Sequence, residues 1–312
     1  MSDPIEMIGK STVQHGPGND LAYLTKLHPT DAPGIIDSLE QLACSRGYSK
    51  VCARIPAPEA GRFVAAGYHL EAALPNFFPE GGSACFMAKY LSADRKQERQ
   101  PLLVREVLIA ADAQQRAAAK PLPAGFAFRL AQEKDAAGMA ALYREVFTAK
   151  PLRVHDPGYI RAAMKESAIF FGIWKEESMV ALSCTEIELA SNSAELTHFA
   201  TLPGYRGLGL AGHLLQQIEG HLEKLGIRSL FSINGAYSFG MNIAFSSNGY
   251  RYGGTLTNHT SIYGTLESAN VWHKALPDDP KFAWRFLYEA DSMDDGRGHE
   301  QPFKDRRMDL DS

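Results

Sequence analysis

Apolar and polar positions alternate along the first ninety residues in a way that predicts helices and strands in turn. Residues 32–46 repeat apolar side chains every three or four positions, which predicts a helix that ends before Gly47. Residues 49–55 alternate as a strand, a short helix is predicted over 59–66, and a closing strand over 87–91. This order predicts an α/β unit.

A longer series of elements follows a charged link and a proline-containing segment. The spacing predicts helices over 102–119, 135–147 and 159–165, with a strand over 126–130 before the second of them. Three further strands, separated only by polar turns, are predicted over 169–174, 179–189 and 194–201. Three strands in succession indicate an antiparallel meander.

Part of the first half is repeated in the second half. The matched segments are Leu39-Glu40 with Ile218-Glu219, Gly47-Tyr48 with Gly226-Ile227, Gly67-Tyr68 with Gly249-Tyr250, and Met87–Leu91 with Val271–Leu276. A shared order of helix, strand, helix, Gly-Tyr and closing strand predicts two related half-sheets. Chance similarity between two α/β segments is the alternative.

A glycine-rich turn joins the last strand of the meander to an amphipathic helix. It contains Gly204, Gly207 and Gly209, and the helix carries Leu214 and Ile218 on its apolar face. Glycines let the backbone approach a ligand, and the first helical turn presents unpaired N–H groups and the positive end of the helix dipole. Because neither common nucleotide-binding glycine motif is present, the turn is predicted to be another kind of pyrophosphate site.

The equivalent segment of the first half has no such turn. Residues 28–33 contain two prolines, which lack N–H donors, and Asp31 places a negative charge where a phosphate would lie. We therefore predict a degenerate copy without a cofactor, which serves packing, dimerisation or a wall of the substrate site.

Size and composition set the remaining limits. A chain of 312 residues is expected to form about two domains, with a net charge of −4 that argues against nucleic acid as a partner. No apolar run is long enough to span a membrane, and the start does not resemble a signal peptide, so a cytoplasmic location is expected. The four cysteines lack metal-site spacing and are expected to be reduced, without a metal. The predicted domains are 1–92, a degenerate N-terminal domain; 93–124, a linker with a helix; 125–276, a catalytic domain; and 277–312, a partly disordered tail.

The segment Arg206-x-x-Gly209-x-Ala211 resembles the R/Q-x-x-G-x-G/A signature of the GNAT superfamily of acyl-CoA N-acyltransferases. The order of elements over 126–276 also resembles that fold. The resemblance implies an α/β (α+β) GNAT fold, in which helices flank a mixed, mostly antiparallel sheet. Here a degenerate partial GNAT-like repeat precedes it.

More specific segments are similar to the β-lysine N-acetyltransferases. They are Arg54–Pro56, Ala66–Tyr68, Pro75–Phe78, Met87–Leu91, Tyr237–Asn242, Gly249–Asn258 and Glu267–Lys274. This resemblance covers about 20–276 and implies acetyl transfer from acetyl-CoA to the side-chain amine of β-lysine, giving the compatible solute Nε-acetyl-β-lysine. Acetylation of another small diamine or amino acid, and acetyl-CoA binding without turnover, are the alternatives.

The superfamily resemblance also implies where acetyl-CoA binds. Backbone N–H groups of the glycine turn would hold the pyrophosphate, the end of the preceding strand would pair with the pantetheine arm, and the next strand and helix would lie beside the acyl group and sulfur. The residues concerned are Thr201, Leu202, Arg206, Gly207, Leu208, Gly209, Leu210, Ala211, Asn234, Ser238 and Asn242.

Acetylation of an amine needs a base, because a lysine-type amine has a pKa of about 10.4 and attacks only when neutral. His198, Glu195, Glu186 and Glu188 lie on the strands around the turn, and His198 is the first choice because its reference pKa is about 6.5. The closing strands border the acceptor in this fold, which implies a substrate role for Asn258, His259, Glu267 and Asn270.

The proton donor for the departing thiolate is a separate question. Phe245 occupies the position at which many superfamily members carry a tyrosine, and a phenylalanine cannot donate a proton. Tyr237, Tyr250, Tyr252 or water is therefore expected to replace it.

Overall fold

The computed structural model describes residues 3–79, 81–114, 121–148, 152–262 and 264–276. The strands in these ranges are β1 (Ile5–Ile8), β2 (Ser11–Gly16), β3 (Leu21–Lys26), β4 (Lys50–Pro56), β5 (His69–Leu74), β6 (Ala84–Tyr90), β7 (Phe126–Leu130), β8 (Ala168–Lys175), β9 (Ser178–Glu188), β10 (Ser193–Thr201), β11 (Ser229–Gly235), β12 (Arg251–Ile262) and β13 (Thr265–Ala275). The α-helices in these ranges are α1 (Ile35–Arg46), α2 (Ala60–Ala65), α3 (Ala93–Lys96), α4 (Pro101–Asp112), α5 (Ala136–Val146), α6 (Pro157–Glu166), α7 (Leu210–Lys224) and α8 (Phe239–Ser247).

All of these strands belong to one sheet. Its order is β1-β2-β3-β4-β6-β5-β12-β13-β11-β10-β9-β8-β7, and the pairs are antiparallel except for β3–β4 and β10–β11. The two halves meet where β5 pairs with β12 through a single registered pair, Ala72 with Gly254. The predicted mixed, mostly antiparallel sheet with flanking helices is confirmed.

The two halves share one topology. The series β1-β2-β3-α1-β4-α2-β5-β6 corresponds to β8-β9-β10-α7-β11-α8-β12-β13, and each set of six strands has the same order from its outer edge to the junction. The predicted repeat is therefore confirmed, and it is more extensive than the sequence pattern indicated. β1, β2 and β3 are not predicted by the sequence pattern, because these strands are short and lie close together between turns.

Side-chain contacts repeat along with the topology. Lys89 pairs with Glu40 at 2.8 Å in the first half, and Lys274 pairs with Glu219 at 2.6 Å in the second. The ring of Tyr68 packs edge-on against a phenylalanine at 5.1 Å between centroids, as the ring of Tyr250 does at 4.9 Å. The two halves therefore share packing contacts as well as topology.

The sheet curls so that strands distant in its order come into contact. Arg54 of β4 donates to Glu188 of β9 at 2.7 Å, and its guanidinium lies over the rings of Phe77 and Phe231 at 5.3 and 5.2 Å. Leu21 joins these rings in an apolar cluster shared by both halves. Residues of β2 and β3 are thereby brought to the face of β10.

Some predicted boundaries were wrong for local reasons. The first helix begins at Ile35 rather than 32, because a 3-10 turn over Pro29–Asp31 precedes it. The helix predicted over 102–119 ends at Asp112, and residues 115–120 lie outside the described ranges, as does the tail after 276. None of the described helices is long and apolar enough to cross a membrane.

A buried ion pair next to the junction gives a test of stability. Lys50 is fully buried and contacts Glu71 at 2.8 Å, while its ammonium also donates to the carbonyl oxygen of Thr257. Lys50→Met is expected to lower the free energy of unfolding by about 3–5 kcal/mol, because it leaves a buried carboxylate without its cation. The matched change Lys89→Met removes a partly exposed pair and should cost less than about 1 kcal/mol. Urea unfolding at one pH measures both, and equal losses would contradict the prediction.

Candidate active site

β10 and β11 separate from each other part-way along their length. Their parallel pairing ends at Glu195 with Phe231, although β10 continues to Thr201 and β11 to Gly235. Beyond that point the hydroxyl of Ser232 donates to the carbonyl oxygen of Leu196 at 2.6 Å. Glu195 therefore lies at the apex of a wedge between the two strands, with an unpaired edge of β10 facing the opening.

A β-bulge lies in β10 just beyond this apex. The register with β9 passes from Thr197 to Ala200 and omits His198 and Phe199, and His198 has a φ of 52°, in the left-handed region. Such a conformation is uncommon for a residue other than glycine, and bulges re-aim backbone and side chains at functional sites. The N–H groups of these two residues lie outside the registered pairing with β9.

The wedge opens into a cavity of about 760 Å³ that both halves of the chain line. From the second half come residues of β10 and β11, the start of α8, and the closing strands. From the first half come residues of β2 and β3. The side chains of interest on its walls are Gln14, Tyr23, Glu195, His198, Asn234, Tyr237, Ser238, His259 and Glu267.

Tyr23 and Gln14 are the first-half equivalents of two acidic residues. Gln14 pairs with Tyr23 between β2 and β3, as Glu186 pairs with Glu195 between β9 and β10. Tyr23 and Glu195 are each the third residue in the parallel register with the following strand. The first half thus carries a neutral pair of side chains at the register positions where the second half carries two carboxylates.

The electrostatic environment separates the two leading candidates for a base. Burial, with help from nearby Glu186, raises the pKa of Glu195 to about 7. Burial lowers the pKa of His198 to about 4, and the neighbouring His155 adds to this effect. A group with a pKa near the working pH is the better general base, so Glu195 replaces His198 as first choice. The imidazole of His198 instead lies 2.8 Å from the hydroxyl of Thr197.

Three potential metal ligands also come together on β9 and β10. Atoms of Cys184, Glu186 and His198 lie within 4.8 Å of one another. Burial raises the pKa of the Cys184 thiol well above its usual value, and a thiol binds metal as the thiolate.

The start of α7 has the properties expected of an anion site. Gly207 and Gly209 both have a φ of 78°, and the N-cap, Gly209, offers no side chain to the first helical turn. Arg206, Gly207 and Leu208 are exposed, while Leu210 turns into the core and Ala211 is partly exposed. The N–H groups of the first turn are therefore not capped by a side chain of their own helix, which suits a diphosphate.

The end of β10 is held by the protein itself. The N–H of Leu202 donates to Val180 at 3.0 Å, and the carbonyl of Thr201 accepts from Arg206 at 3.3 Å. These contacts occupy main-chain groups at the two positions predicted to pair with pantetheine. The edge of β10 nearer the apex offers the unpaired groups instead.

The candidate tyrosines lie in different places. Tyr237 lines the cavity, and its hydroxyl donates to Glu98 at 2.6 Å. Tyr252 lies on the surface beside α4, with its hydroxyl 2.5 Å from that of Thr255. Tyr250 is buried against Phe245 and does not line the cavity, which favours a packing role over the predicted catalytic one. Its first-half equivalent, Tyr68, sits in a copy without a phosphate loop, which indicates a packing role.

This assignment of Tyr250 can be tested directly. Tyr250→Phe is expected to leave kcat/KM within about threefold of wild type, because no reacting group is removed. Tyr68→Phe, the same change in the other copy, should produce a similar small shift in the urea midpoint. A loss of kcat/KM of a hundredfold for Tyr250→Phe alone would restore it as a catalytic residue.

Three predicted asparagines are structural. Asn242, Asn258 and Asn270 are fully buried. Asn242 accepts hydrogen bonds from Asn270 and Trp272 at 2.9 and 2.8 Å, and it donates to two main-chain carbonyls in the segment just before α8. The amide of Asn258 donates to the carbonyls of Arg95 and Gln97, which fixes the link after β6. None of these side chains lines the cavity, so the structure adds no support to their predicted contact with cofactor or substrate.

Other predicted residues do reach the cavity wall, namely Asn234, Ser238, His259 and Glu267. Ser238 also caps α8 by accepting the N–H of Met241. The sequence pattern does not predict a role for Gln14 and Tyr23, which line the cavity, or for Glu98, which accepts from Tyr237. An alignment of the two copies that extended to the strands before the first helix would have found Tyr23 opposite Glu195.

Several known proteins are similar to this chain. The model of the acetyltransferase (GNAT) family matches residues 136–239. The beta-lysine N(6)-acetyltransferase of Methanococcus maripaludis is 31% identical over 267 residues, which span 86% of this chain and 97% of that protein. N-acetyltransferase YodP of Bacillus subtilis is 33% identical over 201 residues, 63% of this chain and 71% of that protein. Among solved structures, ribosomal-protein-S18-alanine N-acetyltransferase from Escherichia coli aligns with a TM-score of 0.45 and 18% identity, over 50% of this chain and 97% of its own.

Proposed function

The chain belongs to the GNAT family of acetyltransferases, in the group of the beta-lysine N(6)-acetyltransferases, and from this premise we propose that its acceptor is β-lysine. The protein is an acetyl-CoA-dependent N-acetyltransferase. The proposed reaction moves the acetyl group to the N6 amine and gives Nε-acetyl-β-lysine, a compatible solute. The observation that carries the proposal is the similarity to the M. maripaludis enzyme over both halves of the chain, including the half that adds a wall to the cavity.

Glu195 acts as the base in the proposed mechanism. Its carboxylate takes one proton from the terminal ammonium group of the acceptor and passes it to solvent. The neutral amine then attacks the thioester carbonyl, and N–H groups of the bulge at His198 and Phe199 stabilise the oxyanion. When the C–S bond breaks, the sulfur takes the second proton from the attacking nitrogen, so no tyrosine is required.

The glycine turn and the wedge bind different parts of acetyl-CoA. Main-chain N–H groups from Arg206 to Ala211 hold the diphosphate at the uncapped start of α7. The unpaired edge of β10 accepts the arm that carries the acetyl group, which enters between β10 and β11. Asn234 lines this opening, and its amide nitrogen has no hydrogen-bond partner among the described residues.

A panel of acceptors tests the proposed function. Purified protein is incubated with acetyl-CoA and β-lysine, lysine, ornithine or spermidine, while free thiol is followed and mass spectrometry locates the acetyl group. The highest kcat/KM is expected for β-lysine, with modification at N6. A higher value for another acceptor would contradict the assignment of β-lysine, and saturable acetyl-CoA binding with no thiol release for any amine would contradict turnover.

A further inference from the structure

The first half of the chain supplies a fixed wall of the cavity although it has no phosphate loop. The half-buried ring of Tyr23 stands edge-on to that of His259, with centroids 5.3 Å apart. The side-chain oxygen of Asn19, in the turn between β2 and β3, accepts hydrogen bonds from Thr260 and Ser261 at 3.2 and 2.9 Å. These contacts hold the β2–β3 hairpin against β12. We call the surface formed by Tyr23 and His259 the distal wall.

His259 presents an unused polar atom on this wall. The β12–β13 register omits residues 257–259, and within this irregular segment Asn258 has a φ of 47°. His259 lines the cavity, is only 8% exposed, and its Nδ1 has no hydrogen-bond partner among the described residues. A buried polar atom without a partner is costly, so a ligand that supplies the partner is favoured.

Charge differs between the two ends of the cavity. At the apex of the wedge the carboxylate of Glu195 lines the cavity, and Glu186 pairs with it in register on β9. Near the distal wall, burial and the cations Lys50 and Arg95 lower the pKa of His259 well below its usual value. The imidazole is therefore neutral, and in its Nδ1–H form it can donate a hydrogen bond to an anion.

The other carboxylates near the distal wall have identifiable tasks. Asp3 accepts the N–H groups of Gly18 and Asn19, both at 3.0 Å, and so holds the hairpin turn. Glu267 lines the cavity and pairs in register with Thr260, next to His259. A ligand that places an anionic group against the distal wall could therefore pair a neighbouring amino group with the carboxylate of Glu267.

From this arrangement we infer that the distal wall binds the carboxylate end of a diamino acid, while its terminal ammonium group lies at Glu195. The hydroxyl of Tyr23 and Nδ1–H of His259 donate to the carboxylate, and Glu267 pairs with the amino group beside it. The acceptor class is thus a small amino acid with a distal primary amine, rather than a plain diamine. This inference rests on the proposed function, and it gives the degenerate copy the task of recognising the acceptor.

The test compares acceptors with and without a carboxylate, and lysine and 1,5-diaminopentane differ only in that group. Initial rates are measured with β-lysine, lysine and 1,5-diaminopentane for wild type, Tyr23→Phe and His259→Gln. Tyr68→Phe serves as the matched control, because it removes a hydroxyl from the same half but away from the cavity. Tyr23→Phe is expected to raise KM for both amino acids about tenfold, the size of one hydrogen bond to a charged group, with kcat within about threefold. Rates with 1,5-diaminopentane and KM for acetyl-CoA should not change.

His259→Gln keeps a hydrogen-bond donor but not the geometry of the imidazole. Its rise in KM for the amino acids is therefore expected to be smaller than that of Tyr23→Phe. Circular dichroism and urea midpoints establish that the variants are folded, and calorimetric binding of β-lysine adds a readout that does not depend on turnover. Unchanged preference for amino acids over 1,5-diaminopentane in folded Tyr23→Phe would overturn the inference. If wild type prefers lysine to β-lysine while Tyr23→Phe loses the preference for a carboxylate, the inference stands and the assignment of β-lysine fails. If the wild-type protein shows no preference for amino acids over 1,5-diaminopentane in binding or in acetylation, both the inference and the assignment of β-lysine are overturned.

Discussion

Replacement of Glu195 by glutamine is expected to lower kcat for acetyl transfer by about 10²–10⁴-fold, the usual contribution of a general base. The Kd for acetyl-CoA should stay unchanged, because Glu195 lies at the apex of the wedge and not at the glycine turn. His198→Asn is the matched control, since asparagine tolerates the left-handed conformation that His198 adopts. That variant should lose less than about tenfold. A larger loss for His198→Asn than for Glu195→Gln would return the role of base to His198.

The pH dependence gives a second readout of the same residue. Glu195 must be ionised to accept a proton, and its pKa is raised to about 7. The kcat/KM of wild type for the acceptor should therefore rise as pH increases through about 7, and Glu195→Gln should lack this rise. Because folding raises this pKa, the stability linked to the protonated form is lost as pH increases through about 7. At pH 8 the glutamine variant should accordingly unfold at no lower urea concentration than wild type.

The second large effect concerns the start of α7. Gly209→Glu is expected to weaken acetyl-CoA binding on the order of 10²-fold, because a carboxylate at the N-cap faces the diphosphate and like charges at an interface cost several kcal/mol. Gly209→Asn introduces a neutral side chain that tolerates the φ of 78° at this position. It should retain affinity within about tenfold. Titration calorimetry with acetyl-CoA measures both, and a folded Gly209→Glu protein with wild-type affinity would show that the diphosphate binds elsewhere.

Features that depend on neighbouring residues in the sequence could be predicted from it. The turn containing Gly207 and Gly209, the helix after it and the meander before it all have local signals, and each lies within a few residues of its expected position. The repeat was visible because paired residues such as Glu40 and Lys89 recur as Glu219 and Lys274. Three strands of the first half were missed, and with them the wall that contains Tyr23.

Features that depend on tertiary contacts could not be predicted. The resemblance implies that Asn242 contacts the cofactor and Asn270 the substrate, but the two side chains hydrogen-bond to each other in the core. The choice between His198 and Glu195 followed reference pKa values, whereas burial moves the two values in opposite directions, to about 4 and about 7. A bulge such as that at His198 exists only in relation to the partner strand, so its signal is not local.

The junction between β5 and β12 leaves no room for a side chain at Gly254. A Cβ atom on Gly254 would lie 2.2 Å from the carbonyl oxygen of Glu71, so the two backbones approach as closely as they can. Because one continuous chain supplies both sides of this junction, the wall that contains Tyr23 is covalently linked to the strands that contain Glu195. Dilution cannot separate them, and specific activity should be independent of enzyme concentration.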